Sequence, residues 1–248
     1  MNPKFADKEI KSLHELMTAI KENTAGLKEP VWYRGHYDVD WKLVPTLHRG
    51  DHESELNLLK RFRQDATLLL NPRPKELYDW LFIMRHHEVP TRLLDWTESP
   101  LVGLFFTVNE KQDKNGALWV LLPHQLNKQN GRDFQQDKDI LPSFEEDDAI
   151  MNSYRPETFS IDKGAPLLPI AFVAPRNNQR MQSQLSVFTI NHKDKTPIED
   201  IGDGKHVWRY IIPATAKKSI MEELSLIKIN RFQLFPELDS IGRALNGE

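Results

Sequence analysis

Apolar positions along this chain follow two periods, and each predicts its own kind of element. In "SLHELMTAIKENT" (residues 12–24), Leu13, Leu16, Met17 and Ile20 recur at three- and four-residue steps, the stripe of an amphipathic helix. Ser12, followed three residues later by Glu15, has the capping-box pattern that starts one. The same period runs from Glu53 to about Leu70 through Leu56, Leu59, Phe62, Ala66 and Leu69/Leu70. It returns over Glu76–His87 through Leu77, Trp80, Leu81 and Met84. "NPRP" ends the first of these helices and "EVP" ends the second. "SPLVGLFFTVNE" also reads as a helix, because Ser99-Pro100 supplies a cap and a first-turn proline. "ATAKKSIMEELSLI" aligns Ile220, Leu224 and Ile227, and "FPELDSIGRAL" begins a closing helical turn.

Short apolar or alternating runs predict strands: "PVWYRG", "GALWVLLP", "LPIAFVAP", "LSVFTIN" and "HVWRYIIP". "DWKLVPTLHRG" reads as an extended loop stiffened by Pro45. Residues 124–165, with the acidic run "FEEDDA", read as an irregular insertion over the surface. The first half is then mainly helical with one early strand, and the second half holds most strands. That is an α+β pattern in a single domain spanning 1–248, without regular βα alternation.

Composition narrows the chemistry. No cysteine is present, which removes disulfides, thiolate nucleophiles and cysteine-bound zinc. The nine histidines show no metal-ligand spacing, so no metal is expected. His86-His87 closes a helix, where the dipole favours a capping role. The net charge of -3 gives no global basic excess for nucleic acid. No apolar run approaches a membrane span and the N-terminus has no apolar signal core, so a cytoplasmic protein is expected. Phosphate-loop, dinucleotide-loop and esterase-elbow patterns are absent.

Polar residues recur beside apolar runs at three places. In "VWYRG", Arg34 offers a planar fork for phosphate or carboxylate, and Gly35 allows another backbone or a ligand to come close. The alternative is a buried structural pair with Asp95. In "TRLLDWT", Arg92 and Asp95 flank two leucines, while Trp96 either stacks on a ring or fills the core. In "RMQSQLSVF", Arg180 and Gln184 precede a strand, where a glutamine binds a ligand or satisfies a turn. Together these groups could take an anion and an aromatic ring.

The blocks "WYRG" with "WKLVPTLHR", "RHHEVPTRLLDWTESPLVGLFF", "RMQSQLSVFTI" and "YIIPATAKKSIMEELSLIKINRFQLFPELDSI" resemble the FRG domain family, in order, from residue 31 to 241. Ser186 stands where that family often has glycine. The block order is similar to that of ADP-ribosyltransferases. The resemblance implies an α+β domain with a helical N-terminal half on a mixed, split sheet, and NAD as substrate. It implies Arg34 and Arg92 on the pyrophosphate and Trp96 or Tyr33 stacked on a ring. Asp95 and Gln184 would attend the ribose, and Gly35, Thr91, Thr97 and Arg180 would complete the contacts. Gln184 stands where the transferases carry a glutamate, and an amide cannot act as a base. The implied partners are an RNA or DNA acceptor and a neutralising antitoxin protein. A basic groove of Arg61, Arg63, Arg85, Arg176 and Arg180 would hold that acceptor. A binding module that keeps the pocket without the reaction is the other reading.

Overall fold

A computed structural model describes residues 4–130, 141–143, 149–158, 167–237, 240 and 242. In chain order the elements are β1 (Lys8–Glu9), α1 (Leu13–Thr24), β2 (Trp32–His36), α2 (Thr46–Arg49), α3 (Glu55–Ala66), α4 (Leu77–His86), β3 (Leu93–Thr97), α5 (Pro100–Val108) and β4 (Gly116–Leu121). They continue with α6 (Pro123–Asn127), α7 (Ala149–Ser153), β5 (Ile170–Phe172), α8 (Gln179–Ser183), β6 (Ser186–Ile190), β7 (Val207–Ile212), α9 (Ala214–Leu226) and α10 (Arg231–Leu234). The fold is α+β, as the patterning predicts.

The seven strands form one mixed sheet in the order β1-β7-β4-β2-β3-β6-β5, in which β1 runs parallel to β7 and the other pairs are antiparallel. Alternation along the strands sends one set of side chains to each face. Tyr33, Leu118, Val120, Tyr210 and Ile212 pack under α1, α5 and α9. Leu93, Phe188, Ile170 and Ile190 pack under α3 and α4. On the opposite face Trp32, Leu94, Trp96, Trp119 and Leu121 form a third apolar layer with Leu43, Leu126 and Ile198.

The central strand is fastened unequally to its neighbours. β2 pairs with β4 over all five residues, from Trp32↔Leu121 to His36↔Ala117. It pairs with β3 only at Tyr33↔Thr97. Beyond that contact the two strands part, and the sheet is split between them. Helix α5 crosses β2 backbone against backbone. A Cβ on Gly35 would lie 2.2 Å from the Gly103 carbonyl oxygen and 2.6 Å from the Thr107 amide. A Cβ on Gly103 would meet Leu118 at 2.8 Å and the Tyr33 Cβ at 3.0 Å. The two glycines therefore let helix and strand touch backbone to backbone. Ser99 caps α5 through the Val102 amide at 3.4 Å, with Pro100 in the first turn.

Several expectations shift. β1, β3 and β4 join β2 before residue 124, so the first half supplies more than one strand. β1 escapes notice because its two residues, Lys8 and Glu9, are exposed and joined to β7 only through backbone. Helix α3 ends at Ala66, and Leu68 and Leu69 are exposed rather than part of its apolar stripe. The loop "DWKLVPTLHRG" contains α2. The described parts of 124–165 do not simply cover the surface. Leu126, Met151 and Tyr154 are buried, and the Asn127 amide both donates to the Ala171 carbonyl (2.8 Å) and accepts from its N–H (2.7 Å), tying off edge strand β5. The acidic run at 145–148, Asp239 and most of "DSIGRAL" lie outside the described residues.

Candidate functional site

The split between β2 and β3 opens into a cavity of about 590 Å³, within the range of small-molecule sites. Its floor is β2 and β3. One wall is α5, and the opposite wall is the end of α4 with α8 and the start of β6. The loop after β2, through Trp41 to Arg49, forms the rim.

Where the strands part, the Asp95 carbonyl lacks a β2 partner, and a buried carbonyl needs a donor. Arg34 supplies it: its Nη1 donates to the Asp95 carbonyl at 2.5 Å. The Arg34 side chain is only 13 % exposed, and its Nη1 lies 4.0 Å from the Asp95 carboxylate. That carboxylate is held instead by Arg85 of α4, whose Nε donates at 2.7 Å. Arg34 Nε donates to His36 Nε2 at 3.0 Å, and the other ring nitrogen, Nδ1, is 3.2 Å from the Trp41 carbonyl. Accepting at Nε2 fixes the neutral tautomer with the proton on Nδ1, directed at that carbonyl.

Guanidiniums crowd the interior of the cleft, and Glu237 stands 3.9 Å from the one on Arg180. Burial lowers Arg34 to about 9, a shift opposed by Asp95 and reinforced by Arg85 and Arg49. Burial and then Arg85 lower Arg49, and burial lowers Arg180. His36 is pushed well below its ordinary value by burial, Arg34 and Arg49. Burial would raise the Asp95 carboxyl, but Arg85 and Arg34 outweigh it and keep it ionised. Four guanidiniums, from Arg34, Arg49, Arg85 and Arg180, thus face one cavity whose floor carries one carboxylate, while Glu88 and Glu110 lie at its exposed edge. A bound anion relieves that repulsion.

Of the residues singled out from the sequence, Tyr33, Arg34, Gly35, Asp95, Trp96, Thr97, Arg180 and Gln184 all border this cavity. Their contacts within the protein are as follows. The Trp96 ring is 3 % exposed, packs in the apolar layer with Trp32 and Leu94, and donates its indole N–H to Thr189 at 3.0 Å. Tyr33 is buried among Val102, Leu118 and Tyr210. Neither ring is placed to stack in the cleft. Gly35 is explained by α5 rather than by a ligand. Thr97 donates to the Gln184 carbonyl at 2.7 Å and accepts from the Ser99 amide at 3.0 Å, locking the end of β3 to the α8–β6 turn. Gln184 donates its amide to the Leu234 carbonyl at 3.0 Å.

Arg92 and Thr91 do not reach the cavity. Arg92 is fully buried and pairs with Glu55 of α3, Nε to carboxylate at 2.7 Å, with both side chains 3 % exposed. Its Nη1 and Nη2 donate to the carbonyls of Asn191 (2.9 Å) and Tyr154 (2.6 Å). This is a tighter buried pair than the Arg34–Asp95 contact at 4.0 Å. Thr91 is buried, its hydroxyl 3.4 Å from the Leu93 amide. The expected basic groove also divides. Arg85 and Arg180 border the cavity, whereas Arg61 pairs with Glu53 (3.1 Å), Arg63 lies over Trp80 and Arg176 pairs with Glu98. Sequence reasoning assigned no role to His36, Trp41 or Arg49. His36 was legible as the residue two beyond Arg34, hence on the same face of a strand.

Residues 29–116 match the model of the FRG domain. The matched segment runs from just before β2 to the first residue of β4, and so carries the Arg34-Gly35 pair, the Trp41–Arg49 rim, Arg85, Asp95 and α5. The FRG segment supplies most of the cleft, and Arg180, Gln184 and Ser186 come from outside it. No curated protein and no solved structure matches the chain. Among the described residues, no helix is long and apolar enough to cross a membrane, and no group of three or more His, Asp or Glu could hold a metal ion.

Proposed function

We propose that the cleft binds NAD and that the domain is an ADP-ribosyltransferase. The observation that carries this reading is the open cavity at a split in the sheet, faced by four guanidiniums around a single floor carboxylate. A dinucleotide brings two phosphates to such a cluster, and guanidinium forks suit them. In the reaction the bond from ribose C1′ to nicotinamide breaks, the acceptor's nucleophile bonds to C1′, and its proton departs. The ribose gains positive charge on the way, and the ionised Asp95 carboxylate on the floor is placed to offset it. Positioning does most of this work, because nicotinamide is already a good leaving group.

A second reading keeps the ligand and drops the reaction. It is favoured by the 2.7 Å contact that ties the Asp95 carboxylate to Arg85, and by Gln184 standing where a carboxylate would serve. Transfer of label from adenylate-labelled NAD separates the two. RNA, DNA and cell protein are offered as separate acceptors to wild type and to Arg34→Ala. Label in one acceptor, lost in the variant, supports the transferase and names its acceptor. A nucleic-acid acceptor would also call for a neutralising partner protein. Binding without transfer supports the second reading.

A further inference from the structure

The rim of the cleft is aromatic and unusually well fastened. Tyr37 and Trp41 both border the cavity, with ring centroids 4.5 Å apart. Each end of the loop that carries them is held by a buried group. Lys217 of α9 is fully buried, and its ammonium donates to the carbonyls of Tyr37 (2.8 Å), Lys111 (2.9 Å) and Glu110 (3.0 Å). His36 holds the Trp41 carbonyl at the other end. One ammonium therefore binds the rim loop to the end of α5, and the pair of rings is preorganised.

Charge selects what such rings can hold. The Arg49 guanidinium lies 5.1 Å from the Trp41 ring centre, and the Lys111 ammonium lies 5.3 Å from Trp41 and 5.1 Å from Tyr37. A neutral, electron-rich base can stack on a tryptophan flanked by cations. The nicotinamide of NAD is a pyridinium cation, and two neighbouring cations repel it. His36 links the rim to the floor: its ring centre is 6.0 Å from that of Trp41, and its Nε2 holds Arg34. A base on Trp41 would place its phosphates toward Arg49 and Arg34.

Resting on the dinucleotide reading above, we infer that Trp41, backed by Tyr37, is the adenine platform. The nicotinamide end then lies away from it. Calorimetric titration of the full chain with ADP-ribose, AMP and nicotinamide mononucleotide tests this in wild type, Trp41→Leu and Trp41→Phe, with thermal unfolding to check each fold. Trp41→Leu weakens AMP and ADP-ribose by about ten-fold or more, Trp41→Phe retains most of the affinity, and the mononucleotide is unchanged. Undiminished AMP binding to folded Trp41→Leu, or a loss confined to the mononucleotide, overturns the platform but leaves the dinucleotide reading in place. A wild type that binds none of the three ligands overturns both. Should Trp41→Leu not fold, fluorotryptophan NMR of the wild type reads the same contact. AMP must then move the Trp41 resonance, identified with Trp41→Phe, and an unmoved resonance overturns the platform.

Discussion

Arg34 donates to the backbone carbonyl of Asp95, while the Asp95 carboxylate belongs to Arg85. The guanidinium thus stands in for a missing strand partner and still presents a face to the cavity. Replacing Arg34 with alanine leaves the Asp95 carbonyl and His36 Nε2 without their donor, beside an open cleft that water can enter. Arg34→Ala is expected to cost the fold about 1–2 kcal/mol and to abolish ligand binding. Urea unfolding and titration with ADP-ribose, run on the same preparation, read the two effects separately. A variant that is unfolded at room temperature would return Arg34 to a purely structural role.

Arg92 should behave in the opposite way. Arg92→Met leaves the Glu55 carboxylate buried without its guanidinium, at a cost of about 3–5 kcal/mol. The double variant Arg92→Met/Glu55→Leu should recover much of that loss, because two apolar groups can replace a buried pair. Chemical denaturation of the single and double variants completes the comparison. Equal losses in both would mean that the remaining contacts of Arg92, not the pair, hold this region.

Gly35→Ala drives a methyl group into the α5 backbone, where no flexible side chain can yield. The expected loss is about 3 kcal/mol or more, seen as a lower melting temperature. Gly50→Ala makes a comparison, since its nearest neighbour is the His52 side chain at 3.0 Å, which can move. If both changes cost the same, the close crossing of α5 over β2 is not the reason for the glycine.

Buried imidazoles set the pH dependence of stability. His36 and His206 are held below the ordinary 6.5, each first by burial, and His48 is lowered to about 4 by burial and then by Arg92. In the fold these rings resist protonation, whereas in the unfolded chain they take up protons as pH falls through about 6.5. The unfolded state then binds more protons, so stability declines from pH 7 toward 4, by up to about 1.4 kcal/mol per pH unit for each fully buried ring. Denaturation midpoints at several pH values check the slope, and His36→Gln should make it shallower. A flat profile would mean that these rings are protonated in the fold.

Long periodic stretches were legible in the sequence, and so were eight of the residues that border the cleft. Helices α1, α4, α5 and α9 and strands β2, β4, β6 and β7 announce themselves because each carries a periodic or unbroken apolar run that the fold buries. Short elements such as β1, α2 and α8 do not, since backbone pairing or a neighbouring loop decides them. Arg34 and Arg92 looked alike, each an arginine beside apolar residues. Only the docking of α3, which brings Glu55 onto Arg92 across 37 positions, tells them apart. Trp96 and Trp41 show the same limit, because the first is buried in an apolar layer of the sheet and a loop brings the second to the rim.

The parting of β2 from β3 also bears on where this protein can be cut. Residues 29–116 contain both strands, but they meet there at one residue pair. Their firm partners, β4 and β6, lie at or beyond the end of that segment, and so does Lys217. An excised piece would bare two apolar strand edges and lose the ammonium that pins its rim, so it should associate rather than fold. The stretch recognisable as a recurring sequence unit is therefore smaller than the unit that folds.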